Sequence, residues 1–408
     1  MKRFVLLAAV AALVMASCGG SKSKTFDPAQ VAFSVAFNPI FDNILYPSIV
    51  LGQTNYSGPD QQQLFSYTVT APKDNTVLRV VMDSSLLNYV SISQEILERR
   101  GETYTFAPVV KWKYDNLYRL RQQGSVDISF TLFLNDEEVD IKTLRINYRT
   151  VNECPLSIVN KGQYHDFRWL FTAFVNEDHP YIDSIMNDML QQGIATSFNG
   201  YQRNADKVKE QVMAVWYYAQ NRGITYSSIS CTSNPSKNVA SQSIRFFDEV
   251  YKNKQANCID ACVFFSSILR KIGLEPLIFV EPCHAYLGYY TDKSKKDIAL
   301  LETTIIGWVN FPELDKAVDP KTGRLAEAQY KKISKYLTAE QKQDYESGKM
   351  SYDELKKAVS KATFDKATEY DKETYTTNKA HFADSNTYNY QMLNVAELRK
   401  VVQPIRRE

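Results

Sequence analysis

Along this chain the spacing of apolar residues passes from the strand period to the helical period, and that change divides it. Between residues 31 and 150 apolar and polar positions largely alternate, as they do in a strand with one buried face. Phe65 to Thr70, Val77 to Met82, Val126 to Leu134 and Lys142 to Tyr148 carry the alternation and are rich in β-formers, with turn clusters at Pro72-Lys73-Asp74-Asn75 and Asn135-Asp136-Glu137-Glu138. Short strands at that spacing predict an antiparallel β-sandwich over 31–150. From about 151 the period becomes helical, in Tyr181 to Gln192 and in Lys207 to Asn221, where Val208, Val212, Val215 and Trp216 share a face. Beyond Pro312 the pattern is charged and helical from Ala326 to Lys372. Capping boxes open helices there at Thr338 and Ser351, and closely alternating charges predict a solvated helical layer over 313–408. The whole reads as an α+β protein.

The segment 257–304 is where chemistry concentrates. Asn257 is a good N-cap and Asp260, three residues on, completes a capping box. A helix follows from Cys258 to Ile272, with Ala261, Phe264, Phe265, Ile268 and Ile272 on its apolar face and Gly273 as its stop. Cys258 therefore stands at a helix N-terminus, where the macrodipole and unpaired N–H groups favour a thiolate and can receive an oxyanion. Leu277 to Val280 reads as a buried strand, His284 to Tyr290 as the next, Asp292 to Asp297 as a turn, and Ile298 to Thr303 as the returning strand. A hairpin folded near Ser294 sets His284 opposite residues near Thr304 and makes Glu302 its diagonal neighbour. A thiol, an imidazole and a carboxylate in that order are the parts of a nucleophile, its base and the group that orients the base. Gln242, upstream, is the candidate side chain for an oxyanion hole; a solvated polar residue is its plainer reading.

Composition narrows the partners. Lys and Arg number 48 against 46 Asp and Glu, so a net charge of +2 offers no electrostatic footprint for nucleic acid. The 26 tyrosines are accounted for by core and edge-strand packing. No paired His and Cys spacing suits zinc, and no cofactor motif appears. At the start of the chain, Lys2 and Arg3 precede an apolar run, Phe4 to Met15, too short to span a bilayer, and small residues follow. Met15-Ala16-Ser17-Cys18 resembles a bacterial lipoprotein box, which implies a signal segment over 1–17, lipidation of Cys18, a tether over 18–30 and a place in the cell envelope at a membrane; an ordinary secretory signal is the alternative. With Cys18 lipidated, Cys154, Cys231, Cys258, Cys262 and Cys283 remain. Their odd number leaves at least one thiol free in a monomer, and their spacing selects no pairing.

Cys258-Ile259-Asp260, Cys283-His284-Ala285 and Glu302-Thr303-Thr304 resemble the motifs of the transglutaminase-like superfamily. The resemblance covers about 155–312 and the closing segment from Val395 to Ile405. It implies a papain-like α+β fold over 151–312, onto which that last segment packs back. It also implies that Cys258 is the nucleophile, His284 the base and Glu302 the acid that orients it. Asn257 stands where a small residue is common, Cys283 where Gly usually precedes the histidine, and Glu302 where Asp is commoner. The implied activity is attack on amide or peptide bonds of a protein, peptide or cell-wall substrate through a thioester, with hydrolysis favoured over crosslinking because water is the abundant acceptor. A non-catalytic binding or assembly module on the same fold is the rival, since the superfamily branch includes members of unknown activity.

Overall fold

The computed structural model describes residues 25–27, 31–53, 64–228, 236, 238–384 and 387–405. The signal segment, Cys18 and Cys231 lie outside the described residues. The predicted tether does not run free throughout, because Phe26 is buried, with the Lys73 ammonium over its ring.

Among the described residues eight strands come first: β1 (Phe33–Phe37), β2 (Ile44–Leu45), β3 (Phe65–Thr70), β4 (Thr76–Met82), β5 (Ser91–Leu97), β6 (Thr103–Phe106), β7 (Gly124–Leu134) and β8 (Glu137–Tyr148). They form two sheets, ordered β1-β3-β6 and β2-β8-β7-β4-β5, antiparallel apart from the parallel β2–β8 pair. Burial alternates along β3 and β4 as the sequence period requires. The buried faces of the two sheets meet, with the rings of Phe65 on β3 and Phe130 on β7 centred 5.9 Å apart. The β7–β8 turn is Asn135-Asp136, both at positive φ, which the short hairpin demands and these residue types tolerate.

The stretch after 150 opens with strands rather than helices. β9 (Glu153–Asn160) and β10 (Gln163–Asp166) form a hairpin, and β12 (Val239–Ser243) pairs with the other edge of β9. Helices α1 (Pro180–Gln191) and α2 (Ala205–Arg222) lie between, followed by the short β11 (Thr225–Tyr226), which pairs in parallel with β13 (Gln255–Ala256). Then come α3 (Cys258–Ile272) and the strands β14 (Pro276–Glu281), β15 (His284–Tyr290) and β16 (Ile298–Leu301). The expected apolar face of α3 is buried, and Gly273 stops the helix in the left-handed conformation at φ +89°. The four-stranded sheet is antiparallel, ordered β16-β15-β14-β17, and its last strand is β17 (Gln391–Asn394).

The charged C-terminal region is more than a solvated layer. Helix α4 (Tyr352–Tyr370) buries Leu355, Val359, Thr363, Phe364 and Ala367. Thr363 Oγ1 accepts from Trp216 Nε1 at 3.2 Å, and the Ala367 carbonyl accepts from the Glu302 N–H at 2.9 Å. Helix α5 (Lys372–Ala383) is the outer, solvated layer, with no buried residue. Beyond β17 the chain is fastened by Arg399, whose guanidinium donates to Glu177 at 3.1 and 2.7 Å and to the carbonyls of Thr172 and Val175 at 2.8 and 2.6 Å. Arg399→Ala leaves the half-buried Glu177 carboxylate without its main partner and is expected to lower the unfolding free energy by about 3 kcal/mol. Urea titration reads this, and a loss below about 0.5 kcal/mol contradicts it.

Candidate active site

The helix start is built around one buried carboxylate. Asn257 Oδ1 accepts from the Asp260 N–H at 2.9 Å, and Asp260 Oδ2 accepts from the Asn257 N–H at 3.0 Å. The same carboxylate also accepts from the Arg245 N–H and from an Arg245 guanidinium nitrogen, each at 2.7 Å. Asp260 is thus more than a cap: it ties the segment after β12 to the first turn of α3. Burial pushes its carboxyl up, and the donors from Asn257 and Arg245 oppose that shift. Cys258 is the first residue of α3 and is half-buried, placed at the positive end of the helix dipole.

Two hairpin registers bring the other groups to that point. In the β14–β15 hairpin Glu281 pairs with His284, so Pro282-Cys283 makes a two-residue turn, and Cys283 sits at φ +64°. Pro at the first central position and a left-handed residue at the second follow the type II pattern, in which glycine is the unstrained choice. In the β15–β16 hairpin Leu287 pairs with Leu301, and continuing that register sets His284 opposite Thr304. The returning strand ends two residues earlier than its sequence suggests, at Leu301. Glu302 instead caps a 3-10 turn, Thr303–Trp308, by accepting from the Thr304 N–H at 2.7 Å through Oε1. That leaves Oε2 for His284 Nε2, also at 2.7 Å.

Electrostatics follow from burial. Glu302 is wholly buried, and burial alone would raise its carboxyl. Bonds from His284, Asp371 and Thr304, with the charge of His284, outweigh this and hold it below its ordinary value. His284 is about one-third exposed, at 34%. Its hydrogen bond with Cys258, then that with Glu302, pushes its ring up to about 10. The imidazole, bonded to the carboxylate, is thus protonated at neutral pH.

Sequence reasoning missed one member of the cluster. Asp371, at the joint of α4 and α5, brings its carboxyl beside Glu302 although they are far apart in the chain. No local motif marks it, because its place depends on how α4 docks. Tyr226 on β11 also lies near the thiol; burial, then the charges of Cys258 and Glu302, raises its phenol. Gln242 lies on β12 opposite Cys154, and the described hydrogen bonds link it to neither Cys258 nor His284. Cys154 and Cys262 are buried, their thiols pushed well up by burial, while Cys283 is exposed; these three and Cys258 are free thiols.

His284, Glu302 and Asp371 each offer a ligand atom, all within 4.8 Å of one another, the arrangement in which a divalent cation could be held. The 2.7 Å contact between His284 and Glu302 is a hydrogen-bond length. Two ligands each about 2.1 Å from a tetrahedral zinc stand more than about 3 Å apart, so this pair as arranged fits a proton better than an ion. Compared with known proteins, the chain matches no family model and no curated protein.

Titration of the His284 ring by NMR should find it charged through neutral pH and losing its proton near 10. Cys258→Ala should lower that midpoint most, and Glu302→Gln should lower it as well; an unchanged midpoint in Cys258→Ala refutes the thiol–imidazole bond. Because folding raises the proton affinity of His284, its contribution to stability is full below 6.5 and is lost as pH rises through about 10. Cys283→Gly should relieve the left-handed backbone and raise stability by about 1 kcal/mol in thermal unfolding.

Proposed function

We propose that the protein is a cysteine-nucleophile hydrolase of amide or peptide bonds, on a transglutaminase-like domain that follows a β-sandwich. The reading is carried by one observation: His284 bonds at 2.7 Å to a buried carboxylate, and its ring is raised first by the Cys258 thiol that stands at a helix N-terminus beside it. Cys258, half-buried at the helix start beside the imidazole, is the attacking atom. Sγ adds to the amide carbonyl carbon, and the C–N bond breaks as His284 passes a proton to the leaving amine. The acyl group is left as a thioester on Cys258. His284, now neutral, takes a proton from water as it attacks, the C–S bond breaks, and a carboxylic acid leaves. Glu302 keeps the ring turned and compensates its charge when it is protonated. Transfer to an amine in place of water would make the same intermediate a crosslink.

The lipoprotein box at Cys18 supports placing this chemistry in the bacterial cell envelope, on proteins, peptides or cell-wall material near a membrane. The exposed side of the site at His284 and Tyr226 is where an extended substrate would enter.

Iodoacetamide near neutral pH should alkylate Cys258 faster than the exposed Cys283, with Cys154 and Cys262 protected until unfolding; peptide mapping reads the order. Cys258→Ala should abolish turnover of envelope-derived peptides while leaving the fold intact. If Cys258 reacts no faster than Cys283, the nucleophile reading fails. Peptide binding that survives Cys258→Ala, with no turnover in the parent protein, points to a binding module instead.

A further inference from the structure

The Asp371 carboxyl has no task in that scheme, yet its setting is costly. It is 5% exposed, and its Oδ2 has no hydrogen-bond partner among the described residues. A buried acceptor left without a donor destabilises a fold, so something in the site has to compensate for it. Its position is imposed from outside: Ala367, four residues back on the same face of α4, holds the Glu302 N–H at 2.9 Å. That anchor brings Asp371, Glu302 and His284 within 4.8 Å of one another. Two carboxylates side by side in a buried site cannot both stay ionised, and one proton between them satisfies the orphan oxygen as well.

We infer that Asp371 is a positioning residue of the site: its carboxylic acid donates a shared proton to the Glu302 carboxylate and so holds Glu302 Oε2 on the His284 ring. The inference rests on the Cys258-nucleophile reading for its role in catalysis, but not for the carboxyl pair itself. The proton resides on Asp371 rather than Glu302 because only Glu302 has the imidazolium and a backbone N–H as further donors. Burial, then the bond to Glu302 and its charge, pushes Asp371 up to about 8, while Glu302 is held low. The groups facing Asp371 are Glu302 at the end of β16, His284 and Tyr286 on β15, Glu281 on β14 and Cys262 on α3. Of these only His284, by holding a proton, favours its ionisation, and burial with the charges of Glu302 and Glu281 outweighs it. Above about 8 Asp371 becomes a second anion beside Glu302, and the carboxylate loses its donor before His284 itself deprotonates near 10.

The test joins infrared difference spectroscopy with the rate of Cys258 alkylation in the full chain. The unsubstituted protein should show the C=O stretch of a protonated carboxylic acid at neutral pH, disappearing as pH rises through about 8. Asp371→Asn should remove that band and the break in the alkylation profile near the same pH, while its amide, still a donor, restores part of the rate lost in Asp371→Ala. Asp371→Ala should slow alkylation roughly tenfold, the scale of one hydrogen bond to a charged group. Absence of the band, or a band that survives Asp371→Asn, overturns the inference. So does stoichiometric binding of zinc alone that Asp371→Ala abolishes, since the cluster would then be a metal site. If the band behaves as expected but Cys258 proves unreactive, the nucleophile reading falls and the carboxyl pair stands.

Discussion

A carboxylate with none of its surface in water sits at Glu302, and every bond that water would have made to it has to be replaced by the protein. The residue is held from three directions. His284 arrives on the neighbouring strand, the Thr304 N–H from the 3-10 turn that Glu302 itself caps, and the residue's own N–H is taken by Ala367 on α4. A buried charge tolerates little misplacement of its partners, since each ångström lost removes stabilisation that the low-dielectric interior makes large. The hairpin register, the end of β16 and the docking of α4 therefore answer to one group.

A second buried carboxylate does the same work at the helix start. The Asp260 carboxylate accepts three hydrogen bonds from Asn257 and Arg245, and its N–H donates to Asn257, which closes the first turn of α3 and binds it to the strand segment behind. The two anions sit at opposite ends of one construction. Asp260 fixes where the thiol begins its helix, Glu302 fixes where the imidazole points, and the contact of His284 with Cys258 is the consequence of both. Neither carboxylate reacts in the proposed chemistry; each makes a geometry unavoidable.

Much of this was legible locally. A capping box, an apolar face of helical period and a terminal glycine state where α3 starts and stops, and the residues from Cys258 to Gly273 behave as those rules require. The His284 hairpin was legible because the turn at Asp292 to Asp297 sets its register within a few residues. What could not be read depends on contacts distant in sequence. The early strands β9 and β12 are paired across some eighty residues, so the helical period of the intervening α1 and α2 dominated the reading of that stretch. Charges along α4 hid its buried face, since Phe364 and Ala367 are few among lysines and acids. Asp371 inherits that difficulty, standing among the polar residues that join two helices. At Glu302, capping of the following turn overrode the strand pattern, a competition that depends on a single side chain.

The return of the chain end has a consequence for how the molecule is made. Strand β17 completes the sheet beside β14, Ala367 holds the Glu302 backbone, and Arg399 locks the tail to Glu177. During synthesis the thiol, imidazole and carboxylate emerge well before any of these. A nascent chain therefore carries all three groups before the supports from α4, β17 and Arg399 have followed. Maturation of the site is thereby timed by translation itself.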